Sequence, residues 1–302
     1  MTNSRAVAVR FARSPWVAQP VEQAGRRYTI ELQRRSIVKS NDGRQLAAAN
    51  EIRVLRALNR FGWLRTRDLA VLVWQRWAHR PTDEPCLAPL KATASNLRMA
   101  QRTLRRLLVQ RMVLRAAGPD GSQIYAVSEP GARRLQDAGL TASSGKDLIR
   151  SFSAGHFRHR CIANEVAIAG IVQGFKVSTE REIARGLWAG GEMGLAGKKP
   201  DVLLRAGRHW TVVEVERSRR NSVDYKALVL WLAWVRPYVS ATPQREVMPG
   251  AVVAKIVFVC TEAFERRLRA DLSELGWRAD EADKVIAYKT RLYTFQNINF
   301  GN

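Results

Sequence analysis

Apolar positions along the chain alternate between a helical period and a strand period, and the order of the changes predicts the layout. From residue 45, Ala49, Ile52, Leu55 and Leu58 recur at three-residue steps, with Arg53, Arg56 and Arg60 outside the stripe; this predicts a helix that Gly62 stops. Thr66 is placed to cap a second helix carrying Leu69, Val71, Leu72 and Val73, and a polar, Pro-bearing loop over 79–90 follows. A third helix is predicted over 95–111. Leu97, Ala100, Leu104, Leu107 and Leu108 form its buried stripe, while Arg98, Arg102 and Arg105, at i, i+4 and i+7, share another face. Val113, Leu114 and Arg115, a Gly118-Pro119-Asp120-Gly121 turn and the stretch 123–127 predict a hairpin. Ser128-Glu129-Pro130 then opens a short helix with Pro in its first turn.

The pattern changes after a Ser-, Gly- and Lys-bearing stretch over 141–153, which fits a linker. Phe157, Cys161, Asn164, Ile168, Ile171 and Phe175 repeat at helical spacing, a strand is predicted over 177–183, and a Gly-rich loop covers 186–197. Val202, Leu203 and Leu204 begin one strand and residues 210–216 form another, joined by the turn Ala206-Gly207-Arg208-His209. A long helix over 223–238, an apolar strand over 252–260, a helix capped by Thr261 and a short strand over 285–288 complete the chain. Such alternation builds a mixed sheet with helices on its faces, so the chain belongs to the α+β class. The expected organisation is a basic arm over 1–43 (with a strand-like RYTIEL run), a first domain over 44–140, the linker over 141–153, and a second domain over 154–302.

Charge gives the first domain a role. The formal charge is +23, with 27 Lys and Arg against 11 Asp and Glu in residues 1–150 and 23 against 16 in residues 151–302. A balance this basic favours nucleic acid as a partner. Three helices followed by a hairpin are the order of a winged helix-turn-helix, whose third helix enters the major groove of double-stranded DNA. Arg98, Gln101, Arg102 and Arg105 are therefore candidate DNA contacts, and Arg115 on the hairpin would track the backbone. The same arginines also suit a solvated helix face or a protein-binding module. Three well-separated cysteines, Cys86, Cys161 and Cys260, fit reduced thiols in the cytoplasm and provide no disulfide framework. No apolar run is long enough to span a bilayer and the first twenty residues lack a secretory apolar core, so no membrane is expected as a partner.

The chemistry concentrates between Pro200 and Lys226. Side chains two apart on a strand share a face, so Glu214 and Glu216 project together, with Asp201 at the head of the paired strand. Three converging carboxylates repel one another unless a cation or neighbouring Arg and Lys side chains neutralise them. Pro-Asp is also a common turn pair, and Glu-x-Glu is common on exposed strands. Glu180 and Glu182 suit a solvated strand face. His156 and His159, flanked by Arg158 and Arg160, suit phosphate contact or helix capping better than metal binding.

Asp201, twelve intervening residues, Glu214 and then Glu216 resemble the PD-(D/E)xK nuclease signature, and the surrounding helix–strand–hairpin–helix order is similar to the core of that superfamily. The resemblance implies a restriction-endonuclease-type α/β domain in which Asp201, Glu214 and Glu216 hold Mg²⁺ or Mn²⁺. Glu216 occupies the position of the signature lysine; Lys226, ten residues on, is the candidate catalytic cation, with Arg217 a weaker substitute. Glu165 or Glu182 would complete the site. IYAVSEPGARRL, the helix with His156, His159 and Asn164, PDVLL and VVEVERSRRNSVDYK together resemble the replication-relaxation family, which is similar to MobC-type mobilisation relaxases. That likeness implies a DNA-binding protein of a mobile element acting at a transfer or replication origin with other mobilisation or replication proteins. Tyr225 lacks the His triad that tyrosine relaxases use. The expected activity is metal-dependent DNA nicking or cutting. The alternatives are a non-catalytic DNA-binding regulator with a degenerate nuclease-like scaffold and, behind it, an RNA-binding protein.

Overall fold

The computed structural model describes residues 43–150, 154–216 and 222–293, all within one compact unit. The expected basic arm, its strand-like run and Arg217 lie outside the described residues.

Helix α1 (Gly43–Phe61) buries Val54, Leu55, Leu58 and Phe61. Its stripe is rotated from the one expected, since Ala49 is exposed and Ile52 half-buried. Gly62 ends the helix with φ 87°, a backbone that glycine adopts at no steric cost, and its N–H donates to the Leu58 carbonyl at 2.8 Å. A two-residue strand that the pattern does not reveal, β1 (Leu64–Arg65), leads into α2 (Thr66–Trp74). The N-cap is Arg65 rather than Thr66, and the Asp68 carboxylate accepts the Arg65 backbone N–H at 2.9 Å. Helix α3 (Ala94–Val109) starts where the Thr93 hydroxyl accepts the Asn96 N–H. It buries Ala100, Thr103, Leu104 and Leu107. Strands β2 (Val113–Ala117) and β3 (Gln123–Val127) form the expected hairpin, and β1 adds to β3, giving an antiparallel sheet in the order β1-β3-β2. Ser128 caps α4 (Glu129–Asp137).

The stretch read as a linker is packed where it is described. Ala142 and Ile149 are buried, Asn59 donates to the Thr141 carbonyl at 3.0 Å, and α5 (Lys146–Arg150) lies against the hairpin. Helix α6 (Ala154–Val172) follows, apolar on nearly every side because it is covered twice. Phe157 stacks on Trp63 at 5.3 Å and Asn164 donates to the Trp63 carbonyl, while Gly170 lies against Leu204 of the second sheet. One hydrophobic core consequently runs from Leu55 and Leu104 through Val166 to Val213 and Val257.

Strand β4 (Lys176–Ser178) is shorter than the strand expected over 177–183. Thr179 stops it and caps α7 (Glu180–Ala184), with Glu182 reaching back to the Thr179 N–H at 2.9 Å. Strands β5 (Val202–Ala206) and β6 (His209–Glu216) form a hairpin, α8 (Ser222–Val239) crosses over, and β7 (Val252–Cys260) lies parallel to β6. Thr261 caps α9 (Glu262–Glu274) as expected; α10 (Ala279–Val285), absent from the pattern reading, precedes β8 (Ile286–Tyr288). The sheet order is β4-β5-β6-β7-β8, antiparallel through β6 and parallel beyond it. Val213 and Val215 belong to the core shared with α6, while Val212, Ile256 and Phe258 pack with α8 and α9 in a second core. Strand β6 is thus buried on both faces. The class is mixed α and β, and no helix among the described residues is long and apolar enough to cross a membrane. Cys86, Cys161 and Cys260 form no disulfide.

Candidate functional site

The hairpin register pairs Val202 with Val213, so one step further sets Asp201 opposite Glu214. This is why twelve residues separate them: β5, the Gly207-Arg208 turn with Gly207 at φ 61°, and β6 bring the two ends back together. Glu214 is wholly buried and Glu216 is 3% exposed. Both share the β6 face of Val212, as the strand period requires. A carboxylate in such a place demands a cationic partner.

That partner is Lys198, whose Nζ lies 2.5 Å from Glu214 Oε2. The Gly-rich stretch delivers it. Leu195 and Lys198 close a small turn by backbone hydrogen bonds, and Gly194, at φ 69°, lies so near that a Cβ would stand 2.5 Å from the Lys198 carbonyl oxygen. Only glycine admits this turn.

Asp201 has two partners of its own. His159 Nε2 on α6 lies 3.1 Å from Asp201 Oδ1, and the Val215 N–H donates to Oδ2 at 2.7 Å. Burial works against an imidazolium at His159, but the hydrogen bond and charge of Asp201, with Glu180 and Glu216 adding to them, push it up to about 9. Burial likewise works against the Asp201 carboxylate, yet His159, Lys198 and the Val215 N–H hold it below its ordinary range. The Val215 bond also ties Asp201 to the backbone between Glu214 and Glu216. The three carboxylates are therefore grouped at one end of the β5–β6 hairpin, with an imidazolium and an ammonium beside them.

The remaining candidates divide. Lys226 lies exposed on α8 and makes no hydrogen bond or ion pair with the acidic cluster among the described residues. Glu165 faces the first half, where Arg65 and Arg67 bind it; burial pushes its carboxyl up, against the pull of Arg65. Glu182 caps α7 and pairs with Arg60 at 2.9 Å, and Glu180 lies 3.6 Å from Arg160, so neither forms a solvated strand face. The Tyr225 ring is buried, with Arg267 over it at 3.7 Å, and burial followed by its bond to Asp271 pushes the phenol up, away from a ready nucleophile. Two residues of the cluster escape sequence reasoning. Lys198 had a signal, the Lys-Lys pair directly before Pro200-Asp201, whereas His159 had none that distinguished it from phosphate contact.

Carboxylate oxygens are the hard donors that Mg²⁺ and Mn²⁺ take, and in donor chemistry the cluster suits them. Among the described residues, however, no three His, Cys, Asp or Glu side chains converge as a group able to hold a metal ion. Lys198 and His159 instead lie on two of the three carboxylates.

At the other end of the chain Arg98, Gln101, Arg102 and Arg105 are all exposed on α3, and Arg115 is exposed on β2. Arg106, one position on, turns inward to Glu51 at 3.0 Å, which also holds Arg134. The outward arginines thus form one face of a helix whose opposite face is core. Comparison with protein-family models, curated proteins and solved structures finds no match to this chain.

Proposed function

We propose that the chain is a DNA-binding protein whose second half carries a metal-dependent DNA nickase or endonuclease site. The observation that carries this reading is the Lys198 ammonium on Glu214, beside Asp201. Two carboxylates and a lysine at the open end of a hairpin are the parts of a PD-(D/E)xK site, with Lys198 supplying from the preceding loop the charge that Glu216 removes. The order α6-β4-α7-β5-β6-α8-β7, three antiparallel strands interrupted by a short helix, then a crossover helix and a parallel strand, supports the same reading. Helices α1 to α3 with the β2–β3 hairpin have the order of a winged helix, and the exposed α3 arginines suit a phosphate-lined groove. Action at a transfer or replication origin of a mobile element rests on the family resemblance alone.

In this reading Asp201 and Glu214 would hold the divalent ion, and Glu216 would have to move in to complete the set, since the three do not converge as a metal-binding group in this arrangement. When bound, the ion polarises the phosphodiester and lowers the pKa of an attacking water. Lys198 shifts from Glu214 toward the charge that develops on the phosphate, and His159 keeps Asp201 oriented and ionised.

A second reading has its own observation. His159 and the Val215 N–H occupy Asp201 while Lys198 occupies Glu214, so two of the three carboxylates are matched by the chain itself, as in a degenerate scaffold for DNA binding. Incubating the purified chain with supercoiled plasmid carrying its origin, in Mg²⁺ or Mn²⁺, separates the two. Relaxed or linear product, lost in Glu214→Ala and Lys198→Ala with DNA binding retained, supports the nuclease. Binding without cutting in either metal leaves the scaffold.

A further inference from the structure

Helix α7 and its C-cap, Arg185, carry two acidic and two basic side chains with different fates. Glu180 and Glu182 are engaged by Arg160 and Arg60. Arg181 and Arg185 have no carboxylate within ion-pair distance among the described residues, and the polar contact of Arg181 is the Ser143 hydroxyl at 3.4 Å. Arg185 is exposed, but Arg181 is half-buried and directed toward another cation. The point where a Cβ on Gly62 would stand is 2.9 Å from Nη1 of Arg181 and 3.1 Å from Nη2 of Arg160. The two guanidinium nitrogens are therefore no further apart than the sum of those distances. Only the missing side chain at Gly62, with its φ of 87°, leaves room for both.

Arg160 is already met by Glu180 and by the Phe61 carbonyl, which its Nη2 reaches at 2.8 Å, whereas Arg181 beside it and Arg185 have no carboxylate among the described residues, an arrangement that an anion would complete. Burial first, then Arg185 and Arg160, pulls Arg181 down to about 10, in keeping with a cation short of counter-charge. Guanidinium groups suit phosphate, whose oxygens accept their paired N–H donors.

We propose that Arg181 and Arg185, with Arg160 behind them, form a phosphodiester-binding site at the seam between the two halves of the chain, and that its occupant is the backbone of bound duplex DNA. The proposal rests on the DNA-binding reading above and adds to it the course of the duplex. Gly62 and Ser143 belong to the half that carries α3, Arg160 follows His159 on α6, and Arg181 follows Glu180 on α7. Glu180, which pairs with Arg160, also bears on His159 through its charge, so the notch and the His159–Asp201 pair share one carboxylate. The exposure of Arg185 suits a polymer passing over the surface better than an enclosed free anion.

The test measures binding by the full chain in chelator, so that no cutting interferes, to a labelled duplex and to a single strand of equal length, across a salt series. For the duplex, Arg181→Gln/Arg185→Gln is expected to bind about tenfold more weakly at fixed salt. Its slope of log K against log salt should be shallower by ~0.9 for each arginine, or ~0.7 on a single strand. Arg181→Lys/Arg185→Lys should recover most of the slope. Unfolding midpoints close to wild type show that the loss is local; should the double variant fail to fold, Arg185→Gln alone carries the test with a change of ~0.9. A wild-type chain that binds duplex while the glutamine variants keep its slope overturns this site and leaves the DNA-binding reading intact. A wild-type chain that binds no duplex at low salt overturns both. A loss confined to the single strand overturns the duplex as the occupant, and inorganic phosphate that protects the chain thermally without competing with DNA overturns the polymer.

Discussion

Lys198 reaches a fully buried carboxylate: its ammonium lies 2.5 Å from Oε2 of Glu214, a residue with no exposed surface. Removing one member of a buried pair leaves the other charge stranded, which typically costs about 3–5 kcal/mol. Lys198→Ala should therefore lower stability by about that much in urea titration, and Lys198→Met/Glu214→Gln should cost less than the two single changes added together. Additive losses would show that the two charges do not depend on each other.

The His159–Asp201 contact gives stability a defined pH dependence. His159 is raised in the folded chain to about 9 from an ordinary 6.5. Its contribution is fully present below pH 6.5 and is lost as pH rises through about 9. Asp201, held below its ordinary range, makes a contribution present above that range and lost as pH falls through its depressed value. In chelator, the wild type should lose up to about 3 kcal/mol between neutrality and pH ~9.5 that His159→Gln does not lose. Parallel stability curves for the two proteins would contradict the pairing.

Arg65 is, with Arg160, a buried cation of the seam. Its guanidinium binds both Asp68 oxygens, at 2.8 and 2.9 Å, and also Glu165 on α6. Burial works against its charge, but Asp68 and Glu165 help to raise its pKa. Arg65→Ala leaves two carboxylates without this cation and should cost at least about 3 kcal/mol. Lysine cannot span both partners with one ammonium and should rescue little of it. Chemical denaturation followed by tryptophan fluorescence reads both, and full rescue by lysine would refute a bidentate role.

On α3, the exposed arginines separate by what each touches. An arginine on phosphate weakens all duplexes alike when changed to Ala and makes the salt slope shallower by ~0.9, whereas one on a base edge costs about 1–3 kcal/mol on the cognate sequence only. Arg98→Ala, Arg102→Ala and Arg105→Ala, each measured on cognate and unrelated duplexes, should fall into these two groups. Three variants indistinguishable from wild type would remove α3 as a DNA-binding surface.

Local signals made much of this architecture legible. The bounds of β7 followed from a strongly apolar run broken only by Lys255, the helix after it from Thr261, and the facing of Asp201 and Glu214 from hairpin spacing. What escaped depended on neighbours distant in sequence. The α1 stripe is rotated because that helix shares a core with the second half, which its own periodicity does not encode. Val177 to Ile183 has strand-like composition, but Thr179 and Glu182 form a capping box and turn the chain into α7. Lys198 arrives on a glycine turn and His159 on an apolar helix, so neither has a fixed spacing to the carboxylate it meets.

Helix α6 is covered on one side by Trp63 and on the other by Leu204. The two halves therefore cannot be exchanged as cassettes. A chimera joining α1 to α4 to another protein's second half would expose the Trp63 side, and the second half produced alone would leave Phe157 bare. Under the proposed DNA-binding function, this shared core would fix the spacing, in base pairs, between what α3 grips and where the acidic cluster meets the strand.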